Sequence, residues 1–323
     1  MSLDGLGRHA PHPFFGVQED VLTIGGRPVP ELAAEHGHTP FYAYAREYLD
    51  ARVAQLRVAL PREIHLHYAI KANPMPAVVR HMASLVDGLD VASARELEIA
   101  LATGTEPQSI SFAGPGKTEA ELALAAAAGI IINIESEREL RVLTAMGREG
   151  QRRPRVAVRV NPDFELKTSG MKMGGGPKPF GVDAEIVPQL LARMSALPLE
   201  FVGFHIFSGS QNLSADAIVD AQRKSVALAV RLAAAAPGPV KVLNIGGGFG
   251  IPYFPGERPL DLDPIGTNLR ELAGGLRETL PEARLVIELG RYLVGEAGLY
   301  VCRVVDRKVS RGQVFLVTDG GLH

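Results

Sequence analysis

A single cysteine, Cys302, in 323 residues excludes an intrachain disulfide and any multi-cysteine metal site, and no metal is expected. One thiol also suits a reducing cytoplasm. Neither sign of charge dominates: 34 Lys and Arg against 36 Asp and Glu leave a formal net charge of -2. The basic residues are spread along the chain, so there is no electrostatic footprint for DNA, RNA or an anionic membrane. Long apolar runs are missing too; a stretch such as Gly129–Ile134 falls far short of the roughly 20 residues a membrane helix needs. Met1 to Pro13 has neither the basic start nor the apolar stretch of a signal peptide. A soluble, cytoplasmic protein is expected, 46% hydrophobic, with room for one large domain and a smaller one and with small molecules as partners.

Between Glu63 and Val294 one theme repeats: a short aliphatic run, a polar or Gly/Pro-rich break, then a longer segment with helical spacing. The runs are Ile64–Ile70, Leu89–Ala92, Ser109–Ala113, Ile130–Ile134, Arg155–Val160, Phe201–Ile206, Val240–Ile245 and Leu285–Leu289. Helices are expected over Ser93–Thr103, Lys117–Ala128, Ser136–Gly147, Ser214–Ala235 and Pro264–Leu280. This alternation predicts an α/β fold, a (β/α)8 barrel of the TIM type, with an open doubly wound sheet as the competitor. No GxGxxG follows an early strand, which weakens the competitor.

The ends read differently. Val21–Ile24 and Pro40–Tyr44 are strand-like, with a small helix at Pro30–Glu35. Residues 295–318 alternate apolar and polar positions, and Ser310-Arg311-Gly312 reads as a hairpin loop. The expected division is 1–45 as the N-terminal part of a β-rich domain, 46–290 as the barrel, and 291–323 as the start of the C-terminal β domain, which looks incomplete at His323. Gly174-Gly175-Gly176-Pro177 is a loop candidate, and loops above a barrel often cover a site.

Barrel enzymes keep their chemistry where the strands end. The first strand delivers Lys71, and a lysine ending an apolar strand loses solvation, which favours a free amine able to form a Schiff base. A solvated rim charge is the bland alternative. The seventh ends in Asn244-Ile245-Gly246-Gly247-Gly248, where glycines let backbone N–H groups approach a phosphate; a flexible turn is the other reading. The eighth ends in Glu288-Leu289-Gly290-Arg291, and a buried acid needs a cation, either Arg291 or a protonated ring nitrogen. The sixth supplies His205 and Ser208: a flat ring and a hydroxyl, or a satisfied core histidine. The second gives Asp90 and then Ser93 and Glu96, which have capping-box spacing. The fifth ends in Arg159-Val160-Asn161-Pro162.

Together, Tyr68 to Asn73, Asp90 to Ser93, Arg159 to Pro162, His205 to Ser208, Gly246 to Phe249 and Glu288 to Arg291 resemble the fold-type III pyridoxal-phosphate decarboxylases, the diaminopimelate, ornithine and arginine decarboxylase family. The resemblance spans about Pro40 to Asp319 and implies an alanine-racemase-like barrel with pyridoxal 5'-phosphate as cofactor. It implies that Lys71 carries the cofactor, that Gly246, Gly247, Gly248 and Ser208 hold the phosphate, and that His205 stacks on the ring. Glu288 would pair with the ring nitrogen, with Asp90 and Gly290 also on the cofactor side. Arg291 would serve the phosphate or the substrate carboxylate, and Arg159 the substrate. Lys71, His205 and Glu288 are then the catalytic set. An acid at the ring nitrogen favours decarboxylation over the related racemases, which place arginine there; a racemase or a non-catalytic cofactor binder is the alternative.

Leu289, Phe207 and Arg95 depart from the family's usual proline, glycine and glycine, and Lys178-Pro179-Phe180-Gly181 only approximates its Lys-Phe-Gly loop. The wording Phe207 to Gln211 resembles branches in exosortase-linked and natural-product pathways, which implies a carrier-bound amino acid as one substrate class. The family forms homodimers, and a C-terminal cysteine and tyrosine complete its site. Neither has a counterpart here; Cys302 reads as a domain-core residue.

Overall fold

The computed structural model describes residues 15–150, 152–165, 170–172 and 174–321. The expectation about Met1 to Pro13 and the end at His323 lie outside these residues.

A closed barrel of parallel strands dominates. The strands are β1 His65–Ala69, β2 Gly88–Val91, β3 Ile110–Phe112 and β4 Ile131–Ile134, then β5 Arg155–Asn161, β6 Glu200–Ile206, β7 Val242–Gly247 and β8 Arg284–Leu289. Each pairs with its chain neighbour, and β8 returns to β1, Val286 opposite His65 through Leu289 opposite Tyr68. A doubly wound sheet would leave two free edges; here the pairing of β4 with β5 and of β8 with β1 leaves no gap in the ring. The fragment Val182–Asp183 adds to the upper end of β5.

Local chemistry explains where the helices start. Ser93, Thr118, Ser136 and Ser214 are N-caps, each accepting the N–H of the third residue of its helix in its side-chain oxygen. They open Ala94–Leu101, Glu119–Ala128, Glu137–Glu149 and Ala215–Ala233. The box expected at Ser93 and Glu96 forms only in half, because the Glu96 carboxylate accepts from Ala92 N–H at 2.7 Å. The reciprocal box is at Thr118 and Glu121.

Two layers fill the space. Leucine, isoleucine and valine between strands and helices form the main core, with Leu66, Leu89, Ile110, Ile132, Phe204 and Ile287 fully buried. A separate cluster, Ile131, Ala157, Val202, Val242 and Val286, takes one residue each from β4 to β8 and lies inside the barrel. Side chains alternate along a strand, so the next inward positions are two residues on: Asn133, Arg159, Asn244 and Glu288. In β6 a register shift between Phe201 and Gly203 makes the next inward residue His205. An apolar layer thus carries a polar one above it, toward the mouth.

The chain ends meet beside the barrel. Phe41–Tyr44 pairs antiparallel with Gly298–Val301, and Arg52 on the helix Arg46–Ala59 forms an ion pair with Glu296. Val17–Gln18, Val21–Ile24 and Arg27–Pro28 make a small sheet. Val304–Ser310 and Gln313–Thr318 form the expected hairpin, turning at Arg311 and Gly312 with φ of 48 and 81 degrees, both positive as a tight two-residue turn requires. Every residue of this hairpin is exposed, and so is Cys302. The expectation of Cys302 as a core residue is therefore corrected: alternation makes a strand, but among the described residues no second layer covers it. No described helix is long and apolar enough to cross a membrane.

Candidate active site

A cavity of about 850 Å³ opens at the ends of the strands, lined by Lys71, Lys117, Arg159, His205, Glu288 and Arg291 among others. Lys71 sits in a one-turn 3-10 segment, Ile70–Ala72, that ends β1 and swings its side chain upward. The amine stands 3.9 Å from Glu288 Oε1, with the lysine side chain 57% exposed and the acid 9%. The expected desolvation of Lys71 is thus corrected, since the apolar run of β1 stops at Ile70 and the turn carries the next residue out. Burial and charge act on the acid instead. Burial pushes the Glu288 carboxyl up, but contact with His205 and the charges of Lys71, His205 and Arg159 outweigh it and hold the group well below the usual carboxylate range.

His205 is buried, with Nε2 3.3 Å from Glu288 Oε2. Nε2 thus has Glu288 as its ion-pair contact, while Nδ1 has no hydrogen-bond partner. Asn244 Nδ2 donates to the same Oε2 at 3.3 Å. Arg291, the alternative cation for Glu288, is exposed and lies 5.7 Å from the centre of the Tyr253 ring, so Lys71 and His205 take that place.

Arg159, expected on the substrate side, is already engaged. Its Nη1 donates to both oxygens of Glu135 at 2.9 and 3.1 Å, and Phe180 covers it at 4.9 Å. Glu135, at the end of β4, also accepts from Gly181 N–H at 3.1 Å and from Gly114 N–H. Lys117 lies 3.9 Å from Glu135 and 3.1 Å from Glu139. All of this is buried. Burial raises the Glu135 carboxyl, but Arg159 and Lys117 overcome it and the net shift is downward; burial lowers the Lys117 amine and raises the Glu139 carboxyl. Inspecting the ends of the third and fourth strands as closely as the others would have found Lys117 and Glu135.

Four other expected residues do not line this cavity. Asp90 is buried, with Oδ1 3.3 Å from His67 Nδ1. Ser208 faces a separate small space beneath, while Ser210 reaches the cavity. Gly209–Ser210 pairs antiparallel with Met171–Lys172. The loop at Gly174 to Gly176 is held down by hydrogen bonds with Ser208, Pro162 and Asn161. Gly246 and Gly247 lie below the lining and Gly248 within it. The first two are small for a packing reason: a Cβ on Gly246 would come 2.4 Å from Phe207 Cδ2, and one on Gly247 2.4 Å from Leu289 Cδ2. Phe207 and Leu289, both departures from the family pattern, thus rest on glycines. Gly246→Ala is expected to lower stability by about 1–3 kcal/mol, from overpacking and from its φ of 67 degrees. Phe207→Ala in the same chain should recover part of that in thermal denaturation; no recovery would mean that the ring is not what the methyl meets.

Residues 46–295 match the family model described as the pyridoxal binding domain of pyridoxal-dependent decarboxylases. The chain belongs to this family. Among relatives of this decarboxylase, the L-glutamyl-[BtrI acyl-carrier protein] decarboxylase of Niallia circulans is 35% identical over 288 residues, covering 88% of this chain and 67% of the relative. The diaminopimelate decarboxylase of Aquifex aeolicus is 35% identical over 315 residues, 97% of this chain and 73% of that one. The crystal structure of diaminopimelate decarboxylase from M. jannaschii superposes with a TM-score of 0.86 at 27% identity, over 96% of this chain and 74% of that one. The protein is a pyridoxal-phosphate-dependent amino-acid decarboxylase.

The cavity residues fit that cofactor. Glu288 is a buried, ionised acid suited to a ring N–H, and His205 is a flat buried ring beside it. Ser210, Gly248, Gly290 and Arg291 gather at the loops after β6, β7 and β8, a common phosphate position in barrels.

Proposed function

We propose that Lys71 is the residue that joins the cofactor covalently, that Glu288 holds the ring nitrogen and that His205 supports the face of the ring. Ser210, Gly248 and Gly290 supply phosphate donors, with Arg291 beside them. When bound, pyridoxal phosphate supplies the sink for the electron pair left by departing CO2. The observation that carries the reading is that an exposed Lys71 amine and a buried Glu288 carboxylate line one cavity of about 850 Å³ at the top of the barrel; their 3.9 Å ion pair must open, as an exposed lysine side chain allows, before a ring stands between them. An acid held well below the ordinary carboxylate range stays charged at neutral pH, and so keeps a facing ring nitrogen protonated. Phe180, Phe207 and Phe249 give the cavity an apolar part to its wall. Arg159, tied to Glu135, acts on the site by its field and not as a free substrate clamp.

For the substrate, we infer an amino acid borne on a carrier protein, acting with a cytoplasmic homodimer of the enzyme. The carrier-bound substrate named for the Niallia circulans relative supports this class. The division into 1–45, 46–290 and 291–323 is part of the same reading, supported by pairing of Phe41–Tyr44 with Gly298–Val301. CO2 release is to be measured from free diaminopimelate, ornithine, arginine and glutamate, and from the same amino acids thioesterified to an acyl-carrier protein. The expected result is at least tenfold higher kcat/KM on a carrier-bound member, about 1.4 kcal/mol of added transition-state binding. Equal or better turnover of a free amino acid would end the carrier assignment.

A further inference from the structure

β7 carries an irregularity that the barrel does not need for closure. Asn244 faces Val286 and Gly247 faces Glu288, so β7 spends three steps where β8 spends two. The extra residue frees a backbone donor from the ladder, as bulges do. Gly246 provides it: with φ of 67 degrees, its N–H turns back and donates to Asn244 Oδ1 at 2.8 Å. A side chain accepting from the residue two positions on is the usual way that Asn stabilises such a turn. The other end of the same amide is not spent on the turn. Its Nδ2 crosses to β8 and donates to Glu288 Oε2 at 3.3 Å, and Asn244 is only 4% exposed.

We propose that Asn244 is a positioning residue for the reaction: its amide locks the β7 bulge with the oxygen and aims the Glu288 carboxylate with the nitrogen. The inference rests on the reading of Glu288 as the partner of the ring nitrogen. Of the groups around that carboxylate, the amide alone is a neutral, fixed donor. Lys71 is charged and half in solvent, His205 meets the acid as an ion-pair contact at 3.3 Å, and Arg159 is committed to Glu135. His67, opposite Glu288 on β1, is paired with Asp90. An amide donor favours the ionised acid and fixes which oxygen faces inward, without adding a charge that would compete with the ring.

Asn244→Ser separates the two tasks, because a serine hydroxyl can still accept the Gly246 N–H two residues on but is too short to reach Glu288. The full chain is titrated with pyridoxal 5'-phosphate by visible absorbance across pH, alongside Glu288→Gln. The expected result is roughly tenfold weaker cofactor binding, with the acid edge of binding displaced to higher pH. The sign follows from the lost donor: without it the carboxyl rises toward its ordinary range, so its charge is lost earlier as pH falls. A role confined to the turn leaves the acid edge where it was, and an unmoved edge overturns the proposal. If Asn244→Ser does not fold, Asn244→Thr carries the test, since its hydroxyl likewise can accept the turn N–H, is too short to reach Glu288 and adds no charge. Should Glu288→Gln itself bind cofactor as the unaltered chain does, the reading of Glu288 fails and this inference with it. If Glu288→Gln weakens binding and neither Asn244 variant moves the edge, the Asn244 inference alone fails.

Discussion

Lys71→Ala is expected to lower CO2 release by roughly 10³-fold or more while leaving the melting temperature almost unchanged. The two halves of that expectation come from different features. The amine is exposed beside Glu288, whereas the other lysine that lines the cavity, Lys117, is buried against Glu135 and Glu139 and so cannot replace it as the point of covalent attachment. Yet its side chain is 57% exposed and packs on little, so its loss removes no core. Addition of pyridoxal phosphate should then give no visible absorbance stable to dialysis. Lys71→Arg sharpens the test, because it keeps a cation near Glu288 and cannot join the cofactor covalently. Arginine should be as inactive as alanine. Turnover retained in either variant would remove Lys71 from the role assigned to it.

Glu135→Gln is the change with the largest expected cost to stability, about 3–5 kcal/mol, read from denaturant unfolding. The carboxylate is fully buried and faces Arg159 and Lys117, and its removal leaves these cations short of countercharge. It also accepts the N–H groups of Gly114 and Gly181, so the amide would have to point a donor at one of several donors. A change of under about 1 kcal/mol would mean that the cluster relaxes, for example through Glu139, and that Arg159 is not held by this contact. The same acid shapes the response to pH. Its folded-state carboxyl is held below the ordinary range, as is that of Glu288. A depressed acid contributes stability that is present above its unfolded value, near 4.3, and is lost as pH falls toward the folded value. Acid unfolding of the unaltered chain therefore draws on both groups, and the variant should lose part of that slope.

Much of the barrel is legible because every strand is an apolar run, and four of them, β2, β3, β4 and β6, are followed by a capping residue as well. Leu285–Leu289 and Ser136–Gly147 were recovered within a few residues, as β8 and as the helix that Ser136 caps. Lys71, His205, Glu288 and Arg291 were legible for a related reason: strand ends face one mouth, so polar residues there converge. What stayed hidden depends on partners far apart in the chain. Glu135 and Arg159 belong to different strands, and nothing near either residue announces the pair. The burial of Asp90 against His67 and the exposure of Lys71 are matters of which way a side chain turns at a strand end. That Ser210 lines the cavity and Ser208 does not depends on the path of the loop after β6, which pairs with the distant two-residue strand Met171–Lys172.

The seam between β8 and β1 joins Leu289 to Tyr68, Glu288 to His67 and Val286 to His65. A ribosome making this chain has released the first strand long before the last exists. Until residue 289 leaves the exit tunnel, the edge of His65–Ala69 that faces β8 lacks its full native partner, although the other edge can already pair with β2. The growing polypeptide thus carries an adhesive edge through most of its synthesis, and the same residue that ends this exposure, Leu289, directly follows the acid that serves the site. Closure of the ring and delivery of Glu288 to the barrel mouth are one event in the life of the molecule.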